Sequence, residues 1–407
     1  MPKHAPKPLK PRDIYGVKYL ERLLPLLDEL HEVGCQRDKA GNRNLHYDQY
    51  CLFVLLLLFN PLLRSLRALQ QASTLQNVQR KLGSARTSLG SLSEAVEVFD
   101  PERLCGIIAA LATEVKRIRH VRRGRLTHTL TAVDGSVVKT LKSIAEAVYM
   151  SDKNGGSHSG WRLHTHFDID RHVPTRMEVT PACNSGHNDE KNRLRKALQP
   201  DHCYVLDRWY AQFTLWNEIV AVSSSYVCRI RDNSNLDAVV EERPVATAAA
   251  AGVLRDMVVT IGLGRKSDAR PNHPVRVILV KTEPHTKRGG RKGGTAGPPS
   301  DGVLRIATNL LDVPAEVIAD IYRHRWTIEV FFNFFKHVLG CGHLLSTHRQ
   351  GIEIQAYCAI IACLLLSLWT ERKPTLRTYE MVCLYLAGWA TLEELTEHIN
   401  KLKKRTG

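Results

Sequence analysis

Four side chains whose types could do chemistry, Tyr322, Arg325, Glu329 and Lys336, lie in one stretch, YRHRWTIEVFFNFFK, at separations of 3, 4 and 7 residues. At about 100° per helical residue they fall within an arc of roughly 60° on one helix face. Ile328, Phe331 and Phe335 occupy the opposite side and are apolar enough to pack into a core. The plain alternative is an ordinary amphipathic helix whose Arg–Glu pair, four residues apart, stabilises it by a few tenths of a kcal/mol. Two further acids stand where strand-like runs end. Asp134 closes the alternating run LTHTLTAVD and is followed by Gly135, while Asp207 closes the short apolar run CYVLD. A lone Asp at such a position more often serves as a turn residue or cap than as a ligand. Gly135 adds weight to Asp134, because glycine lets a metal or phosphate come close to the backbone.

The stripe matches the spacing Y-x2-R-x3-E-x6-K without a gap, and Asp207-Arg208-Trp209-Tyr210 is close to D-R-G-[YF], with Trp209 where that pattern has Gly. In these motifs, over about residues 120–340, the chain resembles the DDE transposases of the insertion-sequence-four type. The resemblance implies an α/β RNase H-like catalytic core with an inserted β-rich subdomain, preceded by an all-α N-terminal domain and followed by C-terminal helices. It makes Asp134, Asp207 and Glu329 the catalytic and metal-binding acids, in that order along the chain. Such a core gathers its acids at the ends of two neighbouring strands, with the last helix packed across them. Gathered carboxylates repel one another, and hard divalent cations relieve the repulsion. Two Mg²⁺ ions, with Mn²⁺ as substitute, about 3.5–4 Å apart would activate a water or 3′-hydroxyl and stabilise the leaving oxygen.

The same resemblance implies DNA contacts for Tyr322, Arg325, Lys336 and Arg208. Arg325 either meets phosphate or orients Glu329, the alternative being a simple salt bridge within the helix. Tyr322 and Lys336 would stand about 21 Å apart on a straight helix and so would grip different phosphates. Trp209 and Trp326 are the candidates for stacking on a base, with a place in the core as the alternative. His187, in SGHNDE, resembles a family position and equally suits a helix cap. Asp168 and Asp170 are rival acids, but they sit in a hairpin and read as turn residues.

The elements that must position these groups follow from periodicity. Residues 14–125 are Leu- and Ala-rich with helical spacing, and the chain then alternates with a period of two at Leu126–Ser136, Trp161–Asp170 and Val173–Ala182. Ser185–Leu198 turns helical, Cys203–Asp207 and Tyr226–Arg231 read as strands, and a helix lies between those two. The expected division is a basic arm at 1–13, a helical domain at 14–125 and the first part of the core at 126–231. A β-rich insertion with a Gly/Lys/Arg loop occupies 232–311, the second part of the core 312–345, and C-terminal helices suited to dimerisation 346–407. Asp312 is the expected cap of one long helix carrying the stripe.

Lys and Arg number 57 against 41 Asp and Glu, a formal charge of +16, which suits a polyanionic partner better than a membrane surface. Arg122 and Arg123, within VKRIRHVRRGRL just before the first strand, are candidates for phosphate contact. Ten cysteines without a C-x-x-C pair argue against zinc or a disulfide framework. The apolar runs Cys51–Phe59 and Ala356–Trp369 fall short of the roughly 18 residues of a membrane span, and read as buried helices. The expected protein is a cut-and-paste transposase of the prokaryotic cytoplasm, associated with the nucleoid. It would bind terminal inverted repeats of double-stranded DNA, pair the ends as a homodimer, cleave them, and join the 3′-hydroxyls to target DNA. The alternatives are a related metal-dependent nuclease or recombinase without strand transfer, and a non-catalytic DNA-binding copy.

Overall fold

In a computed structural model the described residues are 20–33, 44–117, 126–139, 148–151, 157–182, 189–245, 248–264, 269–282 and 302–404. The basic arm at 1–13, Arg122, Arg123, His187 and residues 283–301 of the glycine-rich loop lie outside them. Among the described residues the Leu- and Ala-rich leading region forms six helices: α1 (Leu20–Val33), α2 (Tyr47–Leu58), α3 (Leu66–Ala72), α4 (Gln76–Leu82), α5 (Leu89–Val98) and α6 (Arg103–Glu114). Ser65 and Ser88 start α3 and α5 by accepting a backbone N–H of the first turn, which satisfies a donor the helix itself cannot.

The alternating runs become strands. β1 (Thr129–Lys139), β2 (Val148–Ser151), β3 (Ser157–Asp168) and β4 (Val173–Pro181) pair antiparallel, with β3 joined to each of the other three. After α7 (Glu190–Lys196), β5 (His202–Leu206) returns parallel to β1. Helix α8 (Phe213–Ala221) then crosses over to β6 (Ser225–Arg229), parallel to β5. Parallel strands require such crossovers, and the helices cover the sheet. The cover explains why β5 is apolar from Cys203 to Leu206: Cys203 and Val205 face one apolar cluster, Tyr204 and Leu206 another that contains Leu194 and Trp216.

β7 (Ala238–Arg243), β8 (Val253–Thr260), β9 (Val275–Lys281) and β10 (Val303–Thr308) extend the same sheet, in the order β2-β3-β1-β5-β6-β10-β9-β8-β7. Sequence composition sets 232–311 apart from the core. Strand pairing instead makes these strands a lateral extension, because β10 lies antiparallel to β6 with Thr308 opposite Val227. The edge of β6 would otherwise expose a row of unpaired backbone groups.

The segment expected as one long helix is broken. α9 (Ala315–Arg323), started by Pro314 rather than Asp312, gives way to α10 (Trp326–Asn333) and a π-helical turn at Phe334–Val338. At the break the Arg325 N–H bonds to the Tyr322 carbonyl, one residue nearer than an α-helix would have it. The following helix, α11 (Arg349–Thr370), is longer than the apolar run suggests. Its 22 residues, with mean hydropathy 1.9 in its most apolar window, would suffice to cross a membrane by length and composition. That window is 94% buried inside the protein, where α11 packs on α2, α5, α6 and β4. The leading helices and α11 share one apolar cluster. α12 (Leu376–Leu386) ties into it through Tyr379, whose hydroxyl donates to the Leu58 carbonyl at 2.6 Å, and α13 (Leu392–Lys404) follows.

Candidate active site

Register brings the first two acids together. β1 and β5 pair with Thr129 opposite His202 and Ala132 opposite Val205, a constant offset of 73 residues. Carried two residues beyond the last pair, and one beyond the end of β5, the same offset sets Asp134 of β1 beside Asp207. β1 is buried from Leu130 to Val133 and half-buried from Asp134 to Val137, so the acids stand where the sheet begins to emerge from its cover. Asp134 accepts the Gly135 N–H at 2.8 Å. Asp207 accepts the Trp209 N–H at 2.7 Å and so caps a short 3₁₀ turn, Arg208–Tyr210. That turn has no residue with positive φ, which is why Trp209 fits where the related pattern has Gly.

The third acid arrives on α10, packed against β1. Glu329 is paired with Arg325 one turn earlier, and the other side of the same guanidinium lies 3.7 Å from Asp134. The intrahelical salt bridge and the orienting role are therefore one arrangement. Lys336, past the break and within the π turn, donates to the Val137 carbonyl at 2.7 Å, two strand positions beyond Gly135. Tyr322 is buried, and its hydroxyl is pushed up to about 12, by burial first and partly by Asp207, against Arg325 and Arg229. Lys336 thus reaches β1 three residues beyond Asp134. One straight helix does not join the two residues, since the segment breaks after Arg323.

One participant has no motif. Glu190, the first residue of α7, reads in sequence as a helix-start acid. It is paired with Arg162 of β3, accepts the Tyr210 hydroxyl at 3.1 Å, and occupies the space over Gly135. A Cβ built on Gly135 would stand 2.7 Å from the Glu190 carboxyl carbon. Glycine leaves the space that the Glu190 carboxylate takes, and a Cβ there would have to push that side chain aside. The partners come from 28 and 20 residues away along the chain, so no local signal could have revealed them.

Asp134 is pushed up to about 7, by burial first; Arg325 and the Gly135 N–H oppose this, while Asp207 and Glu190 add to it. The unfolded group titrates near 3.8, so between those values the folded chain keeps a proton that the unfolded chain has lost. The resulting stabilisation is full below about pH 4 and disappears as pH rises through about 7. Without divalent cations, Asp134→Asn is therefore expected to match wild type near pH 4 and to exceed it near pH 8, by about 2–4 kcal/mol at most. Urea unfolding at both pH values measures this, and a pH-independent difference would contradict it.

The donors at the site are carboxylate oxygens, the set a hard divalent cation prefers, and such a cation would relieve the repulsion by Asp207 and Glu190 that adds to the effect of burial on Asp134. In chemistry the residues fit one. As they stand, no three His, Cys, Asp or Glu side chains among the described residues form a metal-binding group, and the cation between Asp134 and Glu329 is Arg325.

Of the other residues singled out in sequence, Arg208 is exposed, as are Trp209 and Trp326 at 44% and 57%. Neither tryptophan belongs to the core. Both adjoin the site in sequence, one two residues after Asp207 and one three before Glu329, and Lys191 Nζ lies 4.5 Å above the Trp209 ring. Asp168 is a turn residue: it accepts the backbone N–H groups of Asp170 and Arg171 and pairs with the Arg171 guanidinium.

Residues 125–365, more than half of the chain, match the family described as the transposase DDE domain. The chain is 26% identical over 240 residues to y4zB of Sinorhizobium fredii (strain NBRC 101917 / NGR234), named as a transposase, covering 57% of this chain and 62% of that one. It is 28% identical over 251 residues to a protein of Geobacillus stearothermophilus named as a transposase for insertion sequence element IS5377, covering 61% and 59%. The chain thus spans about three fifths of the length of these curated relatives. A piggyBac transposase synaptic complex with hairpin DNA is similar at a TM-score of 0.44 and 9% identity, over 89% of this chain and 77% of that one.

Proposed function

The chain belongs to the transposase DDE domain family, and from that premise we propose that it is a cut-and-paste DNA transposase whose acids are Asp134, Asp207 and Glu329. The observation that carries the reading is the β1–β5 register setting Asp134 beside Asp207, with Arg325 reaching both Asp134 and Glu329. Dependence on a divalent metal goes with this domain. Two Mg²⁺ ions, with Mn²⁺ able to substitute, held by those three acids would activate the attacking oxygen and neutralise the leaving one.

The chain's own groups supply alignment. Lys336 and Tyr322 flank the acids and are poised for separate backbone phosphates. Arg325 holds Asp134 and Glu329 against their mutual repulsion. Arg208 and the rings of Trp209 and Trp326 stand exposed beside them, suited to phosphate contact and base stacking. In cleavage, water oxygen bonds to phosphorus and the element's 3′-oxygen leaves with a proton. In joining, that 3′-hydroxyl attacks a target phosphodiester and expels a target 3′-oxygen, so one ester is exchanged for another. The formal charge of +16 supports double-stranded DNA as substrate.

The same reading takes 126–231 and 312–345 as an RNase H-like core interrupted by 232–311. It assigns 14–125, with the arm at 1–13, Arg122 and Arg123, to the terminal inverted repeats, and 346–407 to a homodimer on paired ends in the prokaryotic cytoplasm. Purified protein, DNA carrying the flanking-element ends, and Mg²⁺ or Mn²⁺ should yield both nicked and joined products. Cleavage without joining would turn the reading to a nuclease, and binding without chemistry to a DNA-binding regulator.

A further inference from the structure

We propose that Glu190 is a positioning residue for Asp134, an inference that rests on the reading of Asp134 as a catalytic acid. Its carboxylate is committed on both oxygens. Oε1 pairs with Arg162, Oε2 accepts the Tyr210 hydroxyl, and the pair is almost withdrawn from solvent, with side-chain exposures of 8% for Arg162 and 12% for Glu190. An acid so occupied has little capacity left for a cation, although it lies close to one that does. What it meets instead is backbone. The carboxyl group sits so close to Gly135 that a methyl group there would force the Glu190 side chain to shift, and the Gly135 N–H is the donor that orients the Asp134 carboxylate.

The chain of contacts therefore runs from Arg162 and Tyr210 to Glu190, from Glu190 to Gly135, and from the Gly135 amide to Asp134. Its anchors come from different elements. Arg162 lies on β3, opposite Val137 of β1, and Tyr210 closes the 3₁₀ turn that Asp207 caps. Glu190 thus links the backbone carrying the first acid to the turn carrying the second. A displacement of about 1 Å at a reacting group can cost around 10²-fold in rate, which is the scale of effect such a brace controls.

The test compares single-turnover strand cleavage, DNA affinity and thermal midpoint in five proteins: wild type, Glu190→Ala, Glu190→Gln, Gly135→Ala, and Gly135→Ala with Glu190→Asp. Glu190→Ala should lower the cleavage rate by about 10²-fold with DNA affinity unchanged, and Glu190→Gln, which keeps the shape, by at most about tenfold. Gly135→Ala should behave like Glu190→Ala, and adding Glu190→Asp, one methylene shorter, should recover at least about tenfold by relieving the overlap. Equal losses in Glu190→Ala and Glu190→Gln would overturn the proposal. So would loss of DNA affinity in step with rate, or a double variant no faster than Gly135→Ala. A crystal structure of Gly135→Ala gives a readout independent of activity: the Asp134 carboxylate should shift together with Glu190, and an unmoved Asp134 would also overturn the proposal. If wild type itself does not cleave DNA, the functional reading fails, while the structural comparison still decides whether Glu190 sets the place of Asp134.

Discussion

Glu329→Gln is expected to abolish both strand cleavage and strand joining, by roughly 10³-fold or more, with DNA affinity unchanged. The substitution preserves shape and leaves α10 intact, so the loss would report charge alone. Two effects combine. The amide no longer offers an anionic oxygen to a divalent cation. Arg325, now shared by Asp134 and Glu329, is also left with Asp134 as its one acidic partner of the two and holds it more tightly. The first acid is thus withdrawn from service by the loss of the third. If capture were the whole effect, removing Arg325 as well would restore activity; the double variant Glu329→Gln with Arg325→Ala is expected to stay inactive. Product gels for cleavage and joining, beside a filter-binding titration, measure all three quantities. Activity near wild type in Glu329→Gln would remove Glu329 from the site, and lost DNA binding would make it a structural residue instead.

Asp256→Ala should be the most destabilising of the substitutions considered, at about 3–5 kcal/mol. Arg276 of β9 makes a two-pronged pair with Asp256 of β8, at 2.7 and 2.6 Å, with both side chains almost wholly buried. Its Nη1 donates to the carbonyls of Leu310, Leu311 and Val313, in the connection that leads into α9. The lateral strands are in this way latched to the segment that delivers Tyr322, Arg325 and Glu329. Removing the carboxylate strands a guanidinium in a site that water does not reach, and the guanidinium cannot shed its charge. Urea unfolding reads the loss directly. The exposed pair of Arg255 and Glu242 supplies the contrast, since Glu242→Ala should leave the unfolding midpoint where it is. A fall of less than about 1 kcal/mol for Asp256→Ala would mean that the latch opens without cost.

What the amino-acid sequence determined by itself was whatever depends on near neighbours. The alternation around Leu126–Ser136 and the apolar Cys203–Leu206 run marked two strands; β5 does end just before Asp207, whereas β1 continues five residues past Asp134, because β3 pairs with it as far as Lys139. The spacing of Tyr322, Arg325, Glu329 and Lys336 made a stripe that needed no knowledge of the fold to notice, and the matching family covers these positions. Periodicity and capping act over a turn or two, so they can be read without knowing what lies opposite.

The tertiary structure decided everything that rests on pairing between distant residues. Strand register placed Asp134 beside Asp207, and the pairing of β10 with β6 drew the lateral strands into the same sheet. Burial turned α11, long and apolar enough to span a membrane, into the core on which the leading helices rest. The break after Arg323 could not be seen in the stripe, because no Pro or Gly marks it; the packing of α9 and α10 on different strands accompanies it. Glu190 joined the site for the same reason that Arg276 joined Asp256. A buried charge must find its partner in space, and the distance along the chain says nothing about where that partner will be.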